Sequence, residues 1–562
     1  MIGHTDVAIV GGGLAACAAA VEAAKYGLRV TLLDKGRLGR SGSSCTAGGG
    51  FSFARPRDEG DSLDAAKARH AAATLAAGEG MNDPRLVEVL VDEAPRRVPE
   101  LERLGLRFKR DGRGNILATL APGHEEPLTS SPEGGGPVLM DAFRREVFHR
   151  RVRVLEQVMV ARLFSVGGRV AGLYALPIGG GDPVVLTASA VVLAAGSATR
   201  LYPYASANYQ TTGDAYGLAW PLGLRFANME FNEFTLIPKV GRAVIATPGL
   251  SALVAAGSHL VNARGERFML RYDPQRAEMT TRARLVQAVV LESLAGRGPV
   301  WNDSMAIPRE VRERFAREDW EIVDKLRRAN LRWPEEPFEW VPAVHRCLGG
   351  LVVDMDGATG LAGLYAVGEA ATGIHGANRL SGNALSECLV FGTRAGRAAA
   401  LWALAASPAE LPEDEVAAFE AEVQDLLAER EGPTPAEWQQ AVRQAAWEDL
   451  GVVRTAAGLR RAVETLSSLA NERPRCASRQ DVVQALETRN LILTGRLVAG
   501  AALLRTESRG QHLRQDHPDR SQEWQKWIVL RREGEGIQAT LEPVGGACSA
   551  RDHREHQEGV KR

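Results

Sequence analysis

The chain is short of cysteine, of lysine, of net charge and of long apolar runs, and each shortage narrows the field. Its six cysteines (Cys17, Cys45, Cys347, Cys388, Cys476 and Cys548) lie far apart among 562 residues, with no CxxC pair. That spacing argues against a cysteine-ligated iron–sulfur cluster or zinc ribbon within the chain, and no metal ligands are expected. It fits reduced thiols in a cytoplasmic protein better than a disulfide framework. The apolar runs Val191–Ala195 and Ala398–Ala406 fall short of the roughly 20 residues that a membrane helix needs. Lys+Arg 68 against Asp+Glu 69 leaves a formal charge of −1, which argues against nucleic-acid or membrane-surface binding by bulk electrostatics. Only eight of the basic residues are Lys. The arginines are spread along the chain and balanced by acids, so they read as codon usage and not as a patch. A strand pattern begins within five residues of Met1, leaving no room for a secretory signal. What remains is an ordinary globular composition, 45% hydrophobic and 24% charged, in a length expected to form two to four domains.

The first 34 residues predict a strand–helix–strand unit. Asp6–Val10 has the apolar character of a buried strand, Leu14–Tyr26 is an Ala-rich helix stopped by Gly27, and Arg29–Leu33 is a second strand. Between strand and helix lies Gly11-Gly12-Gly13-Leu14-Ala15-Ala16, a GxGxxA turn. Gly11 permits the tight turn, Gly13 lets backbone approach a pyrophosphate, and Ala16 keeps helix and strand close. The pyrophosphate would rest on the helix N-terminus, where free N–H groups and the dipole favour an anion. Asp34 closes the second strand, placed to accept from a ribose hydroxyl. The chain returns to similar strand ends at Ala194-Ala195-Gly196 and Gly368-Glu369. Three distant segments converging on one ligand suit FAD better than NAD.

The remaining patterning sets the organisation. Residues 62–107 have helical periodicity, and Val160–Leu186 alternates apolar and polar around Gly167-Gly168, predicting a small antiparallel sheet of hairpins. Ala190–Ala195 then reads as a separate buried strand. Residues 233–344 differ in texture and read as an inserted domain. Residues 436–510 are mostly helical, and the last thirty or so residues, charged and Gly-interrupted, read as a surface tail.

Several separated motifs together resemble the flavoprotein subunits of fumarate reductase and succinate dehydrogenase, a family that includes L-aspartate oxidase and the adenylylsulfate reductase α subunit. They are Arg40-Ser41 through Gly48-Gly49-Gly50, Thr212-Gly213-Asp214-Ala215-Tyr216-Gly217, Asn262 to Gly265-Glu266-Arg267-Phe268, His345 before Gly349-Gly350, Gly368-Glu369, His375-Gly376-Ala377-Asn378-Arg379-Leu380, and Glu507-Ser508-Arg509-Gly510. The resemblance implies an α/β fold with a Rossmann-like FAD-binding domain over 1–232 and 345–425, interrupted by an α+β capping domain over 233–344. A helical C-terminal domain over 433–530 and a charged tail over 531–562 would follow. It implies FAD contacts from Gly11, Gly13, Leu14, Ala15, Ala16, Asp34, Lys35, Ser41, Ser43, Gly48, Gly49, Ala195, Gly196, Asp214 and Glu369. Asn383, Ala384, Leu385 and Ser386 would lie against the flavin ring. Arg282, His345 and Arg379 match positions that bind the substrate anion or move its proton, with Arg284 close enough to compete with Arg282. Glu507 to Gly510 reads as a salt-bridged structural element.

Three departures bear on function. The position that carries covalent FAD in the respiratory members is Gly42, so the resemblance implies non-covalent FAD. The His-Pro-Thr motif that follows Met-Glu-Phe in the dicarboxylate enzymes is replaced: Met229 to Phe234 runs into Thr235-Leu236-Ile237. The Thr-Glu pair is missing near Leu250-Ser251, where small apolar residues stand instead. Loss of buried polar partners costs on the order of a few kcal/mol in recognition, which disfavours fumarate, succinate and aspartate. The expectation is an FAD-dependent oxidoreductase exchanging two electrons with another small anionic substrate. Electrons would pass to oxygen, a soluble acceptor or a separate iron–sulfur subunit. The alternatives are an adenylylsulfate reductase-like subunit, an L-aspartate oxidase and a non-catalytic flavin-binding protein.

Overall fold

The computed structural model describes residues 2–546 except 58–59, 113, 121–123, 242, 246–248 and 319. A seven-stranded sheet organises the first domain: six strands follow the spatial order 153–156, 30–34, 2–10, 184–193, 169–177, 158–166, and the seventh, 364–366, pairs with 184–193. Strand Ile2–Val10 is parallel to both Val30–Asp34 and Val184–Leu193, as the strand–helix–strand reading requires. Helix Leu14–Ala24 packs on this sheet beneath the long helix Asn383–Ala405. The two backbones touch because Gly392 and Gly396 lack side chains: a Cβ at Gly396 would stand 2.4 Å from the Ala19 carbonyl oxygen.

The predicted hairpins form, but not as a sheet of their own. Val158–Val166, Arg169–Pro177 and Val184–Leu193 extend the main sheet, and the last of these is one strand with two partners on one side. Its first half pairs antiparallel with 169–177, and its second half pairs parallel with Leu364–Ala366. The elements read separately up to Leu186 and from Ala190 are therefore continuous.

The inserted domain is built on a five-stranded antiparallel sheet, in order 243–244, 232–240, 338–347, 300–303, 259–261. Helices Gly249–Ala255 and Arg282–Leu294 accompany it. The expected domain limits at 232/233 and 344/345 fall inside its two central strands, so His345 is carried by a strand of the cap. The C-terminal domain contains helices Pro435–Asp449, Ala456–Leu469 and Arg479–Leu504. The first begins with a capping box between Thr434 and Glu437, with Pro435 at its first position.

Within the expected surface tail, residues 531–543 are exposed or half-buried but carry strand structure. Lys526–Glu533 and Gly536–Pro543 form a hairpin that adds to strand Phe226–Ala227. Trp527, Ile528, Val529 and Leu530 are all buried there, and the Trp527 indole N–H donates to the Met81 carbonyl at 2.9 Å. Apolar burial, which the surrounding charge masks in the sequence, fixes this segment. Residues 547–562 of the expected tail lie outside the described residues. Among the described residues no helix is long and apolar enough to cross a membrane, and Cys17, Cys45, Cys347, Cys388 and Cys476 are free thiols.

Candidate active site

The turn after strand Ile2–Val10 opens a cleft along the carboxyl ends of the parallel strands, where ligands bind in open α/β sheets. Gly11 has φ +120°, and a Cβ there would stand 2.4 Å from the Ala194 carbonyl oxygen, so only glycine fits. The side of Gly13 where a Cβ would project is open except for Ser44 Oγ at 3.6 Å, which accepts from the Leu14 N–H at the start of the helix. Leu14, Ala15, Ala195, Gly196, Ser41, Ser43, Asp214 and Glu369 also line the cleft; Ala16, behind it, is buried against the sheet.

The acids of the cleft are held in place by short contacts. Asp34 accepts from Ser41 Oγ at 2.7 Å and from the Gly36 N–H at 3.0 Å, and burial raises its pKa. Glu369 accepts from Ser197 and from the Cys347 N–H, and burial raises it too. Lys35 also borders the cleft, yet its ammonium is engaged by Asp214 at 2.7 Å, Glu487 at 2.6 Å and Thr212 at 2.6 Å. It holds Asp214 in place and offers no free charge to a phosphate. Ser43 Oγ and Gln210 Oε1, both on this wall, are buried without a hydrogen-bond partner among the described residues. Such atoms are satisfied by a polar ligand, and the cleft therefore suits a dinucleotide.

Other expected contacts lie elsewhere. Gly48 and Gly49 pack against the start of helix Gly135–His149, where a Cβ on Gly49 would stand 2.8 Å from the Gly135 Cα, and they do not line the cleft. The side chain of Asn383 is bound to His70 at 2.8 Å and Thr74 at 2.9 Å, and Ser386 donates to the Ser52 carbonyl. Leu385 is buried and Ala384 half-buried. What this segment presents is the N-terminus of helix Asn383–Ala405, whose cap Gly382 (φ +86°) gives no side-chain hydrogen bond.

A second cavity, of about 680 Å³, opens between helix Leu63–Ala77 and the cap helices 249–255 and 282–294. Arg282 and Arg379 both line it. Arg284 does not: it is exposed and lies 3.6 Å from Asp273. Behind the two arginines is Glu233, whose side chain is 1% exposed. Arg379 grips it with Nε at 2.9 Å and Nη2 at 3.2 Å, while Arg282 reaches its Oε1. Burial alone would raise the Glu233 pKa, but Arg379 and Arg282 hold it well below the usual carboxylate range. Burial lowers the Arg379 guanidinium, with Glu233 opposing that shift.

His345 joins this cluster from behind and does not reach the cavity wall. Its Nδ1 is 2.7 Å from Ser206 Oγ, and burial lowers its pKa to about 3, so the ring is neutral at pH 7. His124 lines the cavity with both ring nitrogens buried and without a hydrogen-bond partner among the described residues; burial, then Arg282 and Arg379, bring it down to about 4. Leu250, Ser251 and Val254 form the wall where the Thr-Glu pair is missing. Sequence reasoning missed Glu233 and His124. The available signal for Glu233 is a carboxylate between Phe231 and Phe234 on a strand patterned for burial, which demands a cation. Glu507 is fully buried and bonded to Arg505 and Arg509, a structural network as expected.

Comparisons with known proteins identify the family. The sequence matches the FAD binding domain family over residues 6–385 and the family described as fumarate reductase flavoprotein C-term over 439–549. A fumarate reductase (CoM/CoB) subunit from Methanothermobacter marburgensis is 35% identical over 558 residues, covering 94% of this chain and 97% of that protein. L-aspartate oxidase of Caulobacter vibrioides is 34% identical over 523 residues, covering 91% and 93%. Among solved structures, a variant of the E. coli quinol fumarate reductase flavoprotein superposes with a TM-score of 0.88 at 27% identity, covering 97% of both chains. Adenylylsulfate reductase of Archaeoglobus fulgidus, at 19% identity, TM-score 0.80 and coverage of 97% and 96%, shares the fold.

Proposed function

The chain belongs to the fumarate reductase and succinate dehydrogenase flavoprotein family of FAD-dependent oxidoreductases, and from that premise we propose that it exchanges two electrons between non-covalent FAD and a small anionic substrate other than fumarate or succinate. The observation that carries this reading is the convergence of Arg282 and Arg379 on one cavity wall. FAD, when bound, supplies the two-electron chemistry. In this reading Gly11, Gly13, Asp34, Ser41, Ser43, Asp214 and Glu369 hold it, and Gly42, having no side chain, leaves it unattached.

The protein's own groups bind and orient the anion. Arg379 presents a planar fork suited to an oxyanion, and Arg282 offers a second guanidinium beside it. Glu233 favours the charged form of Arg379 and fixes the orientation of both guanidinium groups, while offsetting part of their positive charge. His345, neutral and bonded to Ser206, keeps the rear of the cluster free of a further charge. Leu250 and Val254 in place of polar partners argue against a second carboxylate on that side. Reduction of fumarate is the second reading, favoured by the 35% identity to a fumarate reductase polypeptide. The proposed electron partner is a separate iron–sulfur protein, since the chain has no CxxC pair of its own.

The test is Arg379→Ala beside Arg379→Lys in flavin-loaded protein. Retained FAD with lost anion-dependent turnover is expected for both, because a lysine cannot reproduce the fork. Unchanged turnover would remove Arg379 from the site.

A further inference from the structure

We infer that Glu233 sets the charge of the substrate: as a fixed carboxylate it cancels one of the two guanidinium charges, so the cavity prefers a monoanion with an apolar body over a dicarboxylate. The inference rests on the reading that this cavity binds the substrate anion.

Both oxygens of Glu233 are committed to Arg379 and Arg282, and its side chain is 1% exposed. Two cations against one anion leave a single positive charge. The imidazoles nearby do not change that sum, because His345 and His124, at about 3 and about 4, are neutral at pH 7. The charges near the mouth cancel among themselves: Arg69 pairs with Asp61, Arg57 with Glu126, and Arg276 lies 3.8 Å from Glu125. Glu278, also on the wall, is bound to Arg267. A ligand with two carboxylates would bring its second charge against a wall whose described cations are already paired, and like or unpaired charges in such sites are strongly disfavoured. Beside the polar groups Ser251, Thr280, Thr281, Asn378 and Ser381, the wall carries an apolar strip. Ala72, Ala73, Ala76 and Ala77 come from helix Leu63–Ala77, and Val254 and Leu285 face them from the cap. A body of alkyl or aryl character fits between them.

The experiment uses one carbon skeleton in two charge states. Fumarate and its monoethyl ester are titrated into the holoenzyme, with the shift of the flavin absorbance as readout. The wild-type protein is expected to bind the monoester at least about tenfold tighter. Glu233→Gln keeps shape but restores two free positive charges, and is expected to reverse the order; Glu233→Asp keeps the charge and is expected to retain the wild-type order. A purely structural Glu233 would weaken both ligands together. An unchanged ratio in Glu233→Gln, with both ligands binding, overturns this inference and leaves the anion cavity standing. Binding of neither ligand to wild type overturns both. If Glu233→Gln does not fold, the wild type decides: tighter binding of fumarate than of its monoester overturns the inference.

Discussion

Replacing Lys35 with methionine isolates what holds the floor of the dinucleotide cleft. The Lys35 side chain is 9% exposed, and its ammonium meets Asp214 and Glu487 at 2.7 and 2.6 Å, with Thr212 as a third acceptor. Burial alone would lower its pKa, but the two carboxylates raise it above the usual lysine value. Methionine fills much the same volume, so the packing cost is small. The dominant effect is two carboxylates left facing each other without a cation, which costs about 3–5 kcal/mol for a buried pair that loses one partner. Asp214 then moves, and with it a wall of the cleft, so FAD is expected to dissociate more readily. The Lys35→Met/Asp214→Asn double variant removes one stranded charge and is expected to recover part of the loss. Urea unfolding, followed by the rise in flavin fluorescence as FAD leaves, gives both numbers. A Lys35→Met protein within about 1 kcal/mol of wild type, the range of exposed ion pairs, would refute the argument.

Two further expectations concern burial and acid. Trp527→Ala removes a ring that is 2% exposed and an indole donor to Met81, and is expected to destabilise by about 3–5 kcal/mol, read as a lowered urea midpoint. Because the folded pKa of His345 is depressed to about 3, the unfolded chain takes up the proton first as pH falls below the ordinary histidine value. Stability therefore declines from near pH 6.5 downward. His345 alone accounts for about 2 kcal/mol lost between pH 6.5 and pH 5. His345→Gln is expected to show an acid sensitivity smaller by that amount, and an unchanged pH dependence of unfolding would contradict the assignment.

The parts of this molecule that the sequence makes readable are those whose physics is local. Gly11 to Ala16 lies between an apolar strand and an Ala-rich helix, and each residue's role follows from backbone geometry within a few positions. Motifs point to Arg282 and Arg379, but not to what joins them: Glu233 belongs to a third segment, and only the antiparallel register of 232–240 with 338–347 brings it beside His345 and the arginines. Val184–Leu193 reads as two elements because its halves have different partners, one adjacent in sequence and one 173 residues on. The hairpin at 526–543 escapes for a related reason. Its partner, Phe226–Ala227, is far away in sequence, and the charges of Arg531 to Glu533 obscure the four buried residues before them. Gly48 and Gly49 are expected on the cofactor; in the structure they also pack against another backbone, at Gly135, a use of glycine that looks identical in sequence.

Anaerobic reduction of the flavin, followed by reoxidation with separate small anions, tests the proposed activity most directly. The panel is fumarate, adenylylsulfate, monoanionic enoates and, last, dioxygen, with the oxidised flavin band as readout. Rapid reoxidation by a monoanion, faster than by fumarate and lost in Arg379→Ala, is the predicted result. Fastest reoxidation by fumarate would contradict the assigned substrate class, and protein that carries no flavin and takes up no FAD would contradict the account from its first step.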